Sequence, residues 1–135
     1  MVVSDRIPIR GIAADAAHSV KSKLTLYRAV DLETGEELFC EEAGNLTANA
    51  GEFLGVVAAV RYVIETNHSP RTVYTDSSTA KAWYDNRTTA SRKNIPALRK
   101  AEAFLRFFAL ETHSIRVELW DSKRFGKIPA DFGNK

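Results

Sequence analysis

Four carboxylates in this chain sit in settings unlike those of its other acids. Asp15 follows the largely apolar run Ile7–Ala14. Glu52 stands in the first turn or so of an apolar helical stripe, and Asp76 directly follows the β-branched run Thr72-Val-Tyr-Thr75. Asp131 lies in a tail otherwise made of Phe125, Gly126, Ile128, Pro129, Ala130 and Phe132, whereas most other acids occupy surface-type contexts such as Asp31–Glu37. Each of the four also has a purely structural use. Asp76 can cap a helix ahead of Ser77-Ser78, Glu52 can complete a capping arrangement with Asn49, Asp15 can cap a turn, and Asp131 can be an exposed tail acid. Together they suggest more. Ligands of open α/β sheets bind beyond the strand ends, where acids from two strands, a helix and a tail can converge. Ionised carboxylates so close repel unless a cation sits among them. Donors that are all oxygen suit Mg²⁺ or Mn²⁺ rather than zinc. Two such ions ~3.5–4 Å apart can activate a water and stabilise the leaving oxygen of a phosphodiester.

The elements that must position these acids can be read from hydrophobic period. Ile7–Ala14 reads as a strand running into Asp15. Lys23–Val30 and Glu36–Glu42 read as two more strands, joined through a turn at Asp31–Gly35. After Gly44 the period becomes helical: Phe53, Val56, Val57, Val60, Val63 and Ile64 form one face of a helix starting near Asn49 and ending near Asn67. Thr72–Thr75 is a fourth strand. Asp76-Ser-Ser opens a shorter helix through Trp83, and Asp85–Asn94 reads as loop. Pro96 begins a long amphipathic helix with Leu98, Ala101, Leu105 and Phe108 on its apolar face. Ile115–Trp120 is a fifth strand, and Asp121–Lys135 reads as loop with a short turn. The order β-β-β-α-β-α-α-β predicts an α/β fold: a five-stranded mixed sheet, part antiparallel meander and part parallel, with helices on both faces.

Composition bounds the rest. With 135 residues, 44% of them apolar and 27% charged, the chain is expected to form one globular domain over residues 1–135. It can bury enough surface to fold without disulfides, and the lone Cys40 permits no internal disulfide and no cysteine zinc site. The apolar runs are too short for a membrane span. The opening Met1-Val-Val-Ser-Asp-Arg lacks the apolar stretch of a signal peptide, so a cytoplasmic protein with no membrane association is expected. The net charge of +2 hides an asymmetry. Residues 1–60 hold nine acids and five bases, for −4, while residues 61–135 hold eight acids and fourteen bases, for +6. The basic excess falls in the half that would grip phosphates.

Several short motifs, in order and at matching spacing, resemble the type 1 ribonuclease H family over nearly the whole chain. Thr47-Ala-Asn49-Ala-Gly-Glu52-Phe-Leu is similar to its T-x-N-x-x-E segment. Val73-Tyr-Thr-Asp76-Ser77 is similar to its strand-ending T-D-S, and Gly11-Ile-Ala-Ala-Asp15 occupies the first-strand Asp position. Ile128-Pro-Ala-Asp131-Phe132-Gly133 is similar to the end of a bacterial branch with a terminal I-P-A-D-F-G motif. The resemblance implies endonucleolytic hydrolysis of the RNA strand of RNA·DNA hybrids by a two-metal-ion mechanism, leaving 5′-phosphate and 3′-hydroxyl ends. Asp15, Glu52, Asp76 and Asp131 would be catalytic and hold Mg²⁺ or Mn²⁺, two ions with substrate bound. Asn49 would contact a ribose 2′-hydroxyl, the group that distinguishes RNA from DNA, with Thr47 and Ser77 also binding substrate. The expected partner is the hybrid, with no obligate protein partner.

The long helix carries Arg99, Lys100 and Arg106 away from its apolar stripe. Arg92 and Lys93 precede it and Arg87 lies in the loop. These bases read either as a solvated face or as a phosphate track for the DNA strand. Trp83 and Tyr84 can stack on a sugar or bury against the sheet. There are departures from the family pattern: Ala16-Ala17-His18 follows Asp15 where many relatives have Gly-Ser, and Ser78 stands where many have Gln. The family's loop His has no counterpart between Asp121 and Asp131, a place Lys123, Arg124 or Lys127 would have to fill. His18 is a candidate acid/base group beside Asp15, and His113 reads as a structural group at a helix end. The alternatives to a ribonuclease H are a catalytically silent hybrid-binding module and a related nuclease of the same fold acting on DNA.

Overall fold

The computed structural model describes residues 6–91 and 94–133. Five strands form one mixed sheet in the order β3-β2-β1-β4-β5. They are β1 (Ile12–Ser19), β2 (Leu24–Asp31), β3 (Glu37–Glu42), β4 (Thr72–Thr75) and β5 (Arg116–Leu119). The first three pair antiparallel, and β1–β4 and β4–β5 pair parallel, as the strand–helix alternation predicts. The helices are α1 (Ala48–Thr66), α2 (Ser78–Asn86), α3 (Pro96–Phe107), α4 (Ala109–His113) and α5 (Ser122–Phe125). Among the described residues no helix is long and apolar enough to cross a membrane.

One face of the sheet carries the main core. Ile12, Ala14, Ala29, Val73 and Val117 pack against Phe53, Val56, Val60 and Val63 of α1, Ala80 and Tyr84 of α2, and Leu98 and Leu105 of α3. On the other face Ala13, Val30 and Trp120 meet Ile128 and Ala130, with Phe125 of α5 alongside. The helix on this second face is thus the single turn α5, in a segment expected to be loop with a short turn.

Four element boundaries differ from expectation. β1 does not end before Asp15: it begins at Ile12 and runs to Ser19, with Asp15 in its interior, because the β2 hairpin pairs it as far as Ser19↔Leu24. The alanines at 13, 14, 16 and 17 carry little strand propensity, so pairing rather than composition makes this a strand. Helix α1 is capped by Thr47, whose hydroxyl accepts from the Ala50 amide at 3.2 Å, and not by Asn49. Helix α2 is capped by Ser77, whose hydroxyl accepts from the Ala80 amide at 3.0 Å, and runs three residues past Trp83. The long third helix breaks at Phe108, whose ψ of 38° leaves the helical region, giving α3 and α4.

Small residues set how closely α1 lies on the sheet. A Cβ at Gly51 would fall 2.6 Å from the Thr25 methyl and 3.2 Å from the Ala16 Cβ. One at Gly55 would fall 3.2 Å from the Tyr27 Cβ. Thr25 cannot turn aside easily: its hydroxyl donates to the Leu46 carbonyl at 2.6 Å, accepts from the Leu46 amide at 3.1 Å and meets His18 Nδ1 at 2.8 Å. Gly51→Ala is therefore expected to lever α1 off β1 and β2. The overpacking cost is about 1–3 kcal/mol, read as a lower urea midpoint at unchanged slope.

Candidate metal centre and nucleic-acid interface

The parallel register carries β1 and β4 side by side through Ile12↔Val73 and Ala13↔Tyr74. Two residues further on, Asp15 comes level with Asp76, the residue directly after β4. Helix α1 crosses the same end of the sheet, with Gly51 allowing the approach, and presents Glu52 from its fifth position. One carboxylate oxygen from each of Asp15, Glu52 and Asp76 lies within 4.8 Å of the others. Asp15 and Glu52 are buried and Asp76 is exposed, so the cluster opens to solvent on one side.

The hydroxyls that cap α1 and α2 are those of Thr47 and Ser77. Asn49, not needed as a cap, is exposed in the first turn of α1. The capping hydroxyls of Thr47 and Ser77 mark two helix N-termini that carry partial positive charge toward an anionic ligand.

Burial, with the hydrogen bond and charge of Asp15 and the charge of Asp76, pushes the Glu52 carboxyl up to about 10. In the absence of a cation the three-acid cluster therefore keeps a proton at neutral pH. Three carboxylates offering oxygen alone fit a hard divalent cation such as Mg²⁺ or Mn²⁺. A cation bound there would displace the proton, so its affinity rises with pH. Between the ordinary 4.5 and about 10 the folded chain holds a proton that the unfolded chain has released. Stability of the metal-free protein from this group is thus full below the ordinary value and falls as pH rises toward the raised one. Thermal melts in chelator from pH 5 to 9 are expected to show that fall, and Glu52→Gln to flatten it.

Asp131 stands outside the three-acid group. It is half-buried, its carboxylate accepts from the Gly133 amide at 2.9 Å, and its carbonyl accepts from Arg28 Nη2 at 2.5 Å. Beside Asp76 opens a cleft of about 530 Å³ lined by Ser78, Leu119, Trp120, Asp121, Ser122 and Lys123. A larger groove of about 1080 Å³ between α1, α3 and β3 contains none of the three acids, and its walls carry both acids (Glu41, Glu42, Glu65) and bases (Arg61, Lys100).

The candidate phosphate track divides. Arg92 and Lys93 lie outside the described residues. Arg99 Nη1 donates to Glu102 Oε1 at 2.6 Å and Nη2 to the Ser91 carbonyl at 3.3 Å, so its charge is engaged within the protein. Lys100 and Arg106 are exposed, Lys100 on the rim of the larger groove. Arg87 closes the end of α2, with Nη1 donating to the Tyr84 carbonyl at 2.8 Å. His18 is bonded to Thr25, and His113 is exposed in the last turn of α4. Tyr84 is buried, its hydroxyl donating to the carbonyls of Thr112 and Ile115 at 2.8 Å, and Trp83 packs edge-on against Phe53.

Two important residues escape sequence reading. Glu102 is 3% exposed and accepts from the Thr89 amide at 2.6 Å, the Thr88 hydroxyl at 3.1 Å and Arg99. The available signal is its spacing, four residues after Leu98 and three before Leu105 on an otherwise apolar stripe. Arg28 is the second: a long cation inside a mostly apolar strand, at the position paired with Asp15.

No family model matches the sequence. The fold matches RNase H1 of the halophilic archaeon Halobacterium salinarum NRC-1 with TM-score 0.54 and 15% identity, covering 88% of this chain and 90% of that one. It matches the N-terminal RNase H domain of rv2228c from Mycobacterium tuberculosis with TM-score 0.54 and 18% identity, covering 84% of each chain. It also matches LC11-RNase H1, isolated from compost by a metagenomic approach, in its complex with an RNA/DNA hybrid, with TM-score 0.57, 15% identity and coverage of 87% and 88%. Sheet order, strand directions and these three likenesses agree that the chain has the ribonuclease H fold.

Proposed function

We propose that this chain is a divalent-cation-dependent nuclease, a single domain over residues 1–135 that hydrolyses the RNA strand of RNA·DNA hybrids and leaves 5′-phosphate and 3′-hydroxyl ends. The observation that carries the reading is the convergence of Asp15, Glu52 and Asp76 at the open end of a ribonuclease H-fold sheet. The hybrid bound by LC11-RNase H1 supports the substrate class. In this reading Asp15, Glu52 and Asp76 hold Mg²⁺ or Mn²⁺, with Asp131 as a fourth acid. When bound, such cations supply water activation and stabilisation of the leaving oxygen.

The chain's own groups then bind and orient. Asn49 reaches the ribose 2′-hydroxyl from the exposed first turn of α1. Thr47 and Ser77 hold the two helix N-termini toward the backbone. Arg92, Lys93 and Lys100 contact the DNA strand, with Arg99 fixing the loop ahead of α3 rather than serving as the main phosphate contact. Purified protein with Mg²⁺ is expected to cut a hybrid labelled on its RNA strand and to leave the DNA strand and duplex DNA whole. Hybrid that is bound yet intact in both Mg²⁺ and Mn²⁺ would make the chain a silent binding module. Cleavage of duplex or branched DNA with the hybrid spared would make it a DNA nuclease.

A further inference from the structure

We propose that Arg28 is a positioning residue that holds the Ala130–Phe132 segment beside the three-acid cluster and so sets the reach of Asp131 to a bound cation. The inference rests on the metal-centre reading above and extends it to a residue the motifs do not contain.

Arg28 pairs with Asp15 across the antiparallel β1–β2 ladder. Residues directly opposite share a face and have Cβ atoms about 4.5–5.5 Å apart, so Arg28 starts next to the cluster. Its guanidinium does not end in solvent. Nε donates to the Ala130 carbonyl at 2.7 Å, and Nη2 donates to the Asp131 carbonyl at 2.5 Å. The group also lies 5.1 Å from the centroid of the Phe132 ring. Three consecutive residues, more than a hundred positions along the chain, are thus held by one side chain. Nη1 donates to Glu37 at 3.0 Å, which supplies the opposite charge to the guanidinium.

The segment is seated on its other side as well. Ile128 and Ala130 are 1% and 0% exposed, packed with Ala13, Val30 and Trp120 under the sheet. The Asp131 side chain lies between these anchors and accepts from Gly133. Fixing the main chain at Ala130 and Asp131 limits the fourth carboxylate to side-chain rotation about one place, tethered to the strand residue that pairs with Asp15. The planar fork of arginine suits such a clamp, since adjacent N–H groups meet adjacent carbonyls while the face lies on a ring. Lysine offers one ammonium and no plane.

The test combines Mn²⁺ titration by calorimetry with hydrogen exchange of the metal-free protein, for wild type, Arg28→Met, Arg28→Lys, Asp131→Asn and the two doubles. Arg28→Met is expected to weaken Mn²⁺ binding about tenfold, the lower range for loss of a group that orients a ligand. It should also speed exchange of the amides at 130–133. In the Asp131→Asn background it should add less than twofold, because its effect passes through Asp131. Arg28→Lys, which keeps the charge and the stem, should restore less than half of the lost affinity and serves alone if the methionine variant does not fold. Unchanged exchange at 130–133, or the same tenfold loss with Asp131 already replaced, would overturn the proposal. Wild-type protein that binds no Mn²⁺ would overturn both this inference and the metal-centre reading. A Mn²⁺-loaded protein that spares the hybrid would overturn the nuclease reading alone.

Discussion

Asp76→Asn is expected to lower hybrid cleavage by about a thousandfold or more while leaving the fold intact. Asp76 is the exposed member of the cluster and faces the cleft beside α2 and β5. On the proposed reading, removing its charge takes away one cation ligand, and it also removes one of the two neighbouring charges that raise the Glu52 carboxyl. Cation stabilisation of a phosphoryl transition state amounts to several kcal/mol, and each 1.36 kcal/mol is a factor of ten in rate. A loss of about 4 kcal/mol therefore corresponds to about a thousandfold. Folding is unaffected because Ser77, not Asp76, caps α2. Single-turnover cleavage of an end-labelled hybrid measures the first effect, and the melting temperature in chelator the second. A variant that melts like wild type and cuts within tenfold of it would remove Asp76 from the chemistry.

Glu102→Ala is expected to cost about 3 kcal/mol of stability, the upper end of the range for leaving a buried hydrogen-bonding group without its partner. The carboxylate ties the loop after α2 to α3 through the Thr89 amide, the Thr88 hydroxyl and Arg99, and the alanine leaves the buried amide without its acceptor. For a domain of this size that is a fall of roughly 10 °C in melting temperature. Burial alone would raise the Glu102 carboxyl. The hydrogen bonds from Thr89, Arg99 and Thr88 outweigh it and hold the group below its ordinary value. The sign is opposite to that of Glu52. The Glu102 contribution is present above the ordinary carboxylate value and is lost as pH falls through the lowered one. The gap between wild type and Glu102→Gln should therefore narrow in acid, as followed by urea denaturation at pH 7 and pH 3.

What the sequence disclosed and what it hid divide along one physical line. Local pattern and capping chemistry are written within a few residues. The Phe53–Ile64 stripe, the Thr72–Thr75 run and Pro96 accordingly mark α1, β4 and the start of α3. Asp15, Glu52 and Asp76 stand out because a carboxylate beside a buried run is rare. Thr47 and Asn49 are both good cap residues two positions apart, so pattern alone does not choose between them. Ala13, Ala14, Ala16 and Ala17 become strand through pairing with β2, which no window of sequence reports. Arg28 and Ala130 are 102 positions apart, and Glu102 bonds to a loop thirteen residues before it. Such contacts belong to topology, and they fix the surroundings of the acids rather than the acids themselves.

A divalent-cation site formed by Asp15, Glu52 and Asp76 should be visible in a crystal structure of the protein soaked in Mn²⁺, with anomalous scattering identifying the ion. The expected result is a Mn²⁺ peak bonded to carboxylate oxygens of all three residues, with Glu52 deprotonated. Mn²⁺ bound only elsewhere, or a cluster left empty at millimolar Mn²⁺, would contradict it.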